Sequence, residues 1–217
     1  MQTTIEQAVR HLKNGGLVVM MDDDNRENEG DLIGLGSKMT PENVNFMVTK
    51  ARGLLCAPIS NSLAKSLELT QMVSDNTEAN GTKFTYSVDG SNESTGVTTG
   101  VSAYDRSSTI LKLASDDVTK NDFVHPGHTF PLVADQGGVL ARRGHTEAAI
   151  DLAILAGEPE VGAICEILLP DGHMARKEYL EQFAIEHELP MITVEQLVEY
   201  LQSHERKDLT NQDVVCE

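Results

Sequence analysis

Six carboxylates crowd into residues 22–31, and this segment is where the sequence first suggests chemistry. In an extended chain the side chains alternate between two faces, so Glu27, Glu29 and Asp31 would share one face. Three carboxylates on one face stay ionised together only when a cation lies among them. A charge run is more often a solvated loop, but this one lies between two short apolar runs. We therefore predict a cation site at a strand end, with residues 22–24 contributing only local charge.

A second constellation is the glycine-containing turn of residues 137–148, which carries two arginines and leads into a predicted helix. The free N–H groups and the dipole at a helix N-terminus favour an anion. Arg142 and Arg143 add positive charge, and Thr146 can cap the helix or donate to a phosphate oxygen. An ordinary capped helix with exposed arginines would look similar, but in so acidic a chain the pattern favours phosphate binding. His145, in the same turn, would suit a metal ion shared with the carboxylates.

Two further residues have types and positions suited to proton transfer. His128 lies in residues 125–131, where proline and glycine predict an irregular loop before a strand, although such a turn can hold incidental histidines. Glu166 lies inside the apolar run of residues 161–169. A carboxylate within a buried strand should have a raised pKa, as a general acid or base requires. An outward-facing position on that strand would remove this expectation.

The charge balance limits which partners the chain can have. It carries 34 acidic and 17 basic residues, a formal net charge of −17. A field of that sign repels nucleic acid and anionic membrane surfaces, so neither is expected as a partner. It also repels phosphorylated metabolites. A phosphate site therefore needs positive charge supplied locally, by arginines, a helix N-terminus or a bound cation.

Cysteine content and hydropathy indicate a cytoplasmic protein. The three cysteines show no CxxC spacing and are predicted to be reduced thiols. No stretch approaches the roughly 20 apolar residues needed to span a bilayer. The polar, helix-patterned residues 1–12 carry no apolar signal segment, so secretion is not expected.

The elements that must position these residues alternate along the whole sequence. The clearest helix starts are the predicted caps Thr4, Thr40 and Ser102, with Gln7 as the box partner of the first and Pro41 beginning the second helix. Further helices are predicted at residues 146–156, 177–188 and 194–206. Strands are predicted at residues 17–21, 32–35, 54–60, 83–88, 130–134, 161–168 and 191–193.

The strands and helices do not alternate regularly, as they would in a barrel or a doubly wound sheet. The sequence therefore predicts an α+β fold. We expect a single domain over residues 1–206, with a mixed β-sheet between helical layers. The polar residues 207–217 are expected to form a frayed C-terminal tail. Residues 74–82, rich in Asn, Asp and Gly, are predicted to form a mobile loop that could act as a lid.

Four blocks of the sequence resemble, in order, the 3,4-dihydroxy-2-butanone 4-phosphate synthase family. They are the acidic segment of residues 23–31, the block of residues 96–106, the His128 segment of residues 126–132 and the arginine turn of residues 142–148. Glu166 falls where the family has its late glutamate. The resemblance extends over about residues 4–204, and four ordered blocks are far more specific than one motif.

The resemblance implies an activity. The family converts D-ribulose 5-phosphate to L-3,4-dihydroxy-2-butanone 4-phosphate and formate in riboflavin biosynthesis, as a lyase that uses Mg²⁺ and no organic cofactor. The sequence leaves open whether Mn²⁺ replaces Mg²⁺. The family's members have a three-layer α+β fold and work as homodimers with active sites at the interface. Some relatives continue into a GTP cyclohydrolase II domain with a cysteine cluster, which this sequence lacks. The resemblance is therefore to the monofunctional form.

The resemblance also assigns roles to individual residues. The metal ligands are Glu27 and His145, and the catalytic residues are His128 and Glu166. The substrate-binding positions are Arg26, Glu27, Asp31, Arg142, Arg143, Gly144, His145, Thr146 and Glu166. Further candidates near the site are Glu29, Cys56 and Thr99. Arg143 departs from the family, because a glycine often stands at its position.

Two other functions remain open at this point. Another enzyme of enediol chemistry, such as a sugar-phosphate isomerase or an aldolase, would need the same metal, phosphate site and acid/base residues. A non-catalytic protein could use the acidic segment as a cation buffer. The products made from ribulose 5-phosphate, and the effects of replacing His128 and Glu166, separate these hypotheses.

Overall fold

Helices and strands alternate through residues 3–204, the part of the chain that the computed structural model describes. The helices are α1 Ile5–Lys13, α2 Pro41–Phe46, α3 Asn61–Ser66, α4 Asn92–Thr95, α5 Ala103–Leu113, α6 His145–Ala156, α7 Lys177–Glu186 and α8 Val194–Ser203. The strands are β1 Val18–Met21, β2 Gly30–Leu35, β3 Cys56–Ile59, β4 Val88–Gly90, β5 Phe123–Val133, β6 Gly162–Glu166 and β7 Met191–Thr193. The predicted tail, residues 207–217, and the predicted end of the last helix at residue 206 lie outside the described residues.

Local capping chemistry sets the helix starts. Thr4 caps α1 in a capping box with Gln7, as predicted. Thr40 caps α2 with Pro41 at the first helical position, and Ser102 caps α5. In each case the side chain accepts the backbone N–H of the residue three positions later. These helix starts therefore depend only on neighbouring residues.

The strands form a mixed sheet. Within residues 3–204 it has seven strands in the order β4-β5-β3-β6-β2-β1-β7. β1 and β2 form an antiparallel pair, and β6 pairs antiparallel with both β2 and β3. The pairs β3–β5 and β1–β7 are parallel. β6, which comes late in the sequence, therefore joins two halves of the sheet formed largely by earlier strands.

Helices cover both faces of the sheet. One buried cluster includes Val44 from α2, Ile110 from α5 and Leu180 from α7. The other includes Leu12 from α1 and Leu152 from α6, together with residues of α8. The predicted α+β class and the arrangement of a mixed sheet between helices are therefore confirmed. No helix among residues 3–204 is both long and apolar enough to cross a membrane.

Several predicted boundaries were wrong. The predicted strand of residues 83–88 forms only isolated bridges before β4, which begins at Val88. Residues 125–131, predicted as an irregular loop, lie within β5. The cause is long-range pairing, because β4 binds β5 with a register shift between Val88 and Asp89. The second helix continues through one π-helical turn and ends at Arg52, with φ 74°, one residue before the predicted Gly53.

We expect Leu152→Ala to lower the free energy of unfolding by roughly 2–5 kcal/mol, because a fully buried leucine leaves a cavity between α6 and the sheet. Leu111→Ala on α5, where the side chain is 39% exposed, is the matched control and should cost far less. Urea unfolding followed by circular dichroism measures both variants. Equal losses would contradict this description of the core.

Candidate active site

Several of the candidate residues lie on one face of the sheet, on the neighbouring strands β2, β6, β3 and β5. Asp31 on β2 lies directly opposite Glu166 on β6, so both side chains project from the same face. Two residues before Glu166, Ile164 pairs with Cys56 on β3, and Cys56 pairs with Phe130 on β5. His128 lies two residues before Phe130, which places it on the same face and at the same end of the sheet.

The acidic segment is a tight turn between β1 and β2 rather than an extended chain. Asp22 holds it together: one carboxylate oxygen accepts the backbone N–H of Glu29 at 2.9 Å, and the other accepts that of Glu27 at 3.2 Å. The second oxygen also accepts from Arg26 Nη1 at 2.8 Å. The prediction that Glu27, Glu29 and Asp31 share the face of an extended strand was therefore wrong, since Asn28 takes the left-handed conformation with φ 54°.

Asp22, Glu27 and His145 offer ligand atoms that all lie within 4.8 Å of one another. His145 is the first residue of α6, and its buried Nε2 has no hydrogen-bond partner within the described residues. Asp31 Oδ1, also buried and without a hydrogen bond there, lies 3.4 Å from His145 Nδ1. Carboxylate oxygens beside an imidazole suit Mg²⁺ or Mn²⁺. The residues present thus fit a divalent metal, and Asp22, predicted to supply only local charge, lies among them.

The electrostatics of this cluster also favour a cation. Burial, and then the Glu166 carboxylate, raise the pKa of Asp31 well above its usual range. Burial raises the pKa values of Glu29 and Glu166 as well. Burial lowers the pKa of His145 to about 4, so its ring is neutral and able to bind a metal. The predicted raised pKa of Glu166 is consistent with its half-buried position at the end of β6.

The predicted anion site lies at the N-terminus of α6. Gly144 is the N-cap and no side chain caps this helix among the described contacts, so the N–H groups of the first turn remain available to an anion. Thr146 is buried at the second helical position and does not cap the helix. A Cβ on Gly144 would lie 2.4 Å from Arg142 Nη1. Glycine therefore lets this guanidinium lie close to the turn.

Arg142 already has protein partners. It donates to Glu147 Oε2 at 2.6 Å, to the Asn80 carbonyl at 3.1–3.2 Å and to Thr82 Oγ1 at 2.9 Å. Asn80 in turn donates its side-chain amide to Glu27 Oε1 at 2.7 Å. The predicted lid segment, residues 74–82, therefore contacts both the acidic turn and the arginine turn. Nothing in the local sequence marks Asn80, because the contact spans 53 residues.

Arg143 joins the two halves of the site. Its guanidinium makes a two-point ion pair with Asp23, in which Nη2 lies 2.9 Å from Oδ1. The predicted phosphate ligand is thus engaged with a carboxylate 120 residues earlier, one position after Asp22. Arg176 secures the other end of the acidic turn, where it donates to the Glu27 carbonyl at 2.7 Å.

The remaining candidates lie in different surroundings. His128 has a half-exposed side chain, and its Nδ1 lies 2.7 Å from the carboxylate of Asp89, a residue the sequence did not suggest. Cys56 is buried, and burial together with the nearby Glu166 and Asp31 charges raises the pKa of its thiol. It therefore stays protonated and is a poor nucleophile. Thr99 is exposed on the segment between α4 and α5.

Comparisons with known proteins agree on one family. The family model for 3,4-dihydroxy-2-butanone 4-phosphate synthase matches residues 6–200. A riboflavin biosynthesis protein RibBA of Staphylococcus aureus (strain MSSA476) is 50% identical over 196 residues, covering 90% of this chain and 49% of the relative. The chain thus spans about half the length of the curated relatives it matches.

Solved structures agree on the fold as well. A 3,4-dihydroxy-2-butanone 4-phosphate synthase in complex with two magnesium ions has a TM-score of 0.89 and 39% identity, covering 94% of this chain and 99% of that one. The two-domain synthase RibBX from A. baumannii also has a TM-score of 0.89, with 42% identity, covering 94% of this chain and 59% of that one.

We expect Asp22→Asn to weaken Mn²⁺ binding by about tenfold or more, because it removes one ligand charge and loosens the turn. Asp24→Asn is the matched control, since Asp24 is exposed two positions along the same segment. Electron paramagnetic resonance of free Mn²⁺ gives the dissociation constants. Equal constants for the two variants would exclude Asp22 from the metal set.

We expect Mg²⁺ affinity to rise as the pH rises above the usual range of an aspartate pKa. Because the pKa of Asp31 is raised, the metal-free site holds a proton that the cation must displace. His145 contributes no such proton over this range, because its pKa is lowered. Calorimetry in two buffers of different ionisation enthalpy should show proton release, and Asp31→Asn should reduce it. Identical enthalpies in both buffers would contradict the expectation.

Proposed function

The chain belongs to the 3,4-dihydroxy-2-butanone 4-phosphate synthase family, and on that premise we propose that it converts D-ribulose 5-phosphate to L-3,4-dihydroxy-2-butanone 4-phosphate and formate. The observation that carries this proposal is the set Asp22, Glu27 and His145, whose ligand atoms lie within 4.8 Å of one another. The buried His145 Nε2 has no hydrogen-bond partner among the described residues, and His145 begins α6. The proposed metal site and the proposed anion site are therefore adjacent, because His145 belongs to the first turn of α6. The two products together contain every atom of the substrate, so no organic co-reactant is needed.

We propose that the substrate's phosphate group binds at the first turn of α6. The N–H groups after Gly144 and the helix dipole attract it, and Thr146 can donate its hydroxyl. Arg142 lies against this turn, and its contact with Asn80 lets the segment of residues 74–82 respond to an anion there. Arg26 and Asp31 face the sugar end of the site.

Asp22, Glu27 and His145 would hold the metal, for which we propose Mg²⁺, with Mn²⁺ as an alternative. A bound divalent cation would supply Lewis-acid polarisation of the substrate's carbonyl and hydroxyl oxygens. The complex of a related synthase with two magnesium ions supports this choice of metal. The chain's own contribution is to hold the three side chains close together and to keep His145 neutral, since burial lowers its pKa to about 4.

We propose Glu166 and His128 for proton transfer. One oxygen of Glu166 accepts the Leu54 N–H at 2.7 Å, which fixes the side chain and leaves the other oxygen for substrate. Burial raises its pKa above the usual glutamate range, which favours a role as a general acid or base. His128 extends from the same face of the sheet, but on β5, with β3 between it and the Glu166 strand. Their backbones are therefore about 10 Å apart.

We propose a homodimer in which the subunits share an active site at their interface. Exposed apolar side chains lie around the β4 end of the sheet, where His128 is half exposed. They are Tyr86, Val101, Tyr104 and Val124, with 47–69% of each exposed. Such patches mark association surfaces. We further propose a cytoplasmic location without nucleic-acid or membrane partners, in keeping with the net charge of −17.

We expect stoichiometric formate from ribulose 5-phosphate in the presence of Mg²⁺, and none when EDTA removes the metal. Glu166→Gln and His128→Asn should each lower turnover by about 10²–10⁴-fold, because each loses a proton-transfer group. Folding by circular dichroism and Mn²⁺ binding should persist in both variants.

The matched controls are Glu178→Gln on α7 and His173→Asn, which replace exposed residues of the same types. An isomerase or aldolase would give other sugar phosphates without formate. A non-catalytic cation buffer would leave every measured property of the two test variants intact. Absence of formate from the metal-loaded wild-type chain would therefore overturn the proposed activity.

A further inference from the structure

Asp89 on β4 binds His128 at two points. Its Oδ1 accepts the backbone N–H of His128 at 2.8 Å, and its Oδ2 lies 2.7 Å from the ring Nδ1. The Asp89 side chain is only 9% exposed, whereas that of His128 is 49% exposed. The carboxylate is thus buried behind an imidazole whose far edge faces solvent.

The surrounding backbone is shaped around this carboxylate. A Cβ on Gly100, which has φ 86°, would lie 2.0 Å from Asp89 Oδ2. A Cβ on Gly127 would lie 2.2 Å from the Asp89 backbone nitrogen. The Gly100 segment is itself held by Asp105, which accepts the N–H groups of Gly100 and Thr98 at 3.1 Å. The two glycines therefore leave room for Asp89, and Asp105 holds the Gly100 segment beside it.

This geometry determines which ring nitrogen of His128 carries the proton. An ionised carboxylate has no hydrogen to donate, so Nδ1 must be the donor in the contact with Oδ2. In the neutral ring the other nitrogen, Nε2, is then unprotonated and lies at the exposed edge. We propose that Asp89 is a positioning residue that fixes the tautomer and orientation of His128, and so makes Nε2 the atom that exchanges a proton with substrate.

The catalytic part of this inference rests on the proposed function, but the tautomer itself does not. A purely structural alternative is that Asp89 only fastens β5 to β4 at the register shift. The two differ in what Asp89→Asn does. If the Asn oxygen keeps the His128 backbone N–H, its NH₂ group faces Nδ1 and donates to it. The neutral ring then carries its proton on Nε2, the reverse of the wild type.

The test is ¹⁵N nuclear magnetic resonance of the full chain labelled at histidine, with His128→Gln identifying the His128 signals. The wild type should show the Nδ1–H tautomer, and Asp89→Asn should shift it to Nε2–H. Asp122→Asn is the matched control, since Asp122 also accepts a backbone N–H near this sheet edge but binds no His128 atom. The same tautomer in wild type and Asp89→Asn would overturn the proposal.

Kinetics provide the second readout. Formate release by Asp89→Asn should fall about a hundredfold in kcat with little change in KM, because Asp89 orients a proton-transfer group and does not touch phosphate. Unchanged kcat alongside a reversed tautomer would overturn the catalytic part. If the proposed activity itself is wrong, the wild type and the Asp122→Asn control also release no formate, while the tautomer shift remains. The two failures are therefore distinguishable.

Discussion

The crowding of carboxylates at one end of the sheet is the constraint to which the rest of the site responds. Asp31 and Glu166 face each other on neighbouring strands, and the acidic turn brings Asp22 and Glu27 to the same place. Burial raises the pKa values of Asp31 and Glu166 and so disfavours their ionised forms. Arg26, which pairs with both Asp22 and Glu27, and the N-terminus of α6 offset part of this negative charge. The neutral imidazole of His145 can bind a cation.

The arginines around the site are part of the same charge balance. Arg26, Arg142, Arg143 and Arg176 each lie within 4 Å of a carboxylate of the acidic turn or of α6. Arg142 and Arg143, which the sequence predicted to bind phosphate, are thus already paired with carboxylates of the chain. An arriving anion meets groups that must share or exchange partners, so the uncommitted attraction comes from the α6 N-terminus and from a bound cation. On the proposed function, affinity for substrate would therefore depend on metal loading more than the arginine content suggests.

What the sequence could and could not predict follows the range of the interactions. The caps at Thr4 and Thr40 depend on residues three positions apart and were predicted correctly. Membership of Glu27 and His145 in one cluster came from the family resemblance, and the structure places their side chains close together. Asp22 and Asp89 were missed, because their roles arise from a turn conformation and from β4–β5 pairing. Neither leaves a periodic signal in the neighbouring sequence.

The position of β6 in the sheet has a consequence for how the chain is made. During synthesis the β1–β2 hairpin emerges long before β6, so the β2 edge that β6 will pair with stays open over roughly the next 130 residues of chain. That edge carries Leu32, Ile33 and Leu35, all fully buried at the end. Long-range pairing of this kind is slow, and an unpaired apolar edge invites association with other chains. The acidic turn leads directly into this edge at Gly30 and Asp31. Its charged side chains can therefore hinder pairing with other chains until β6 is made.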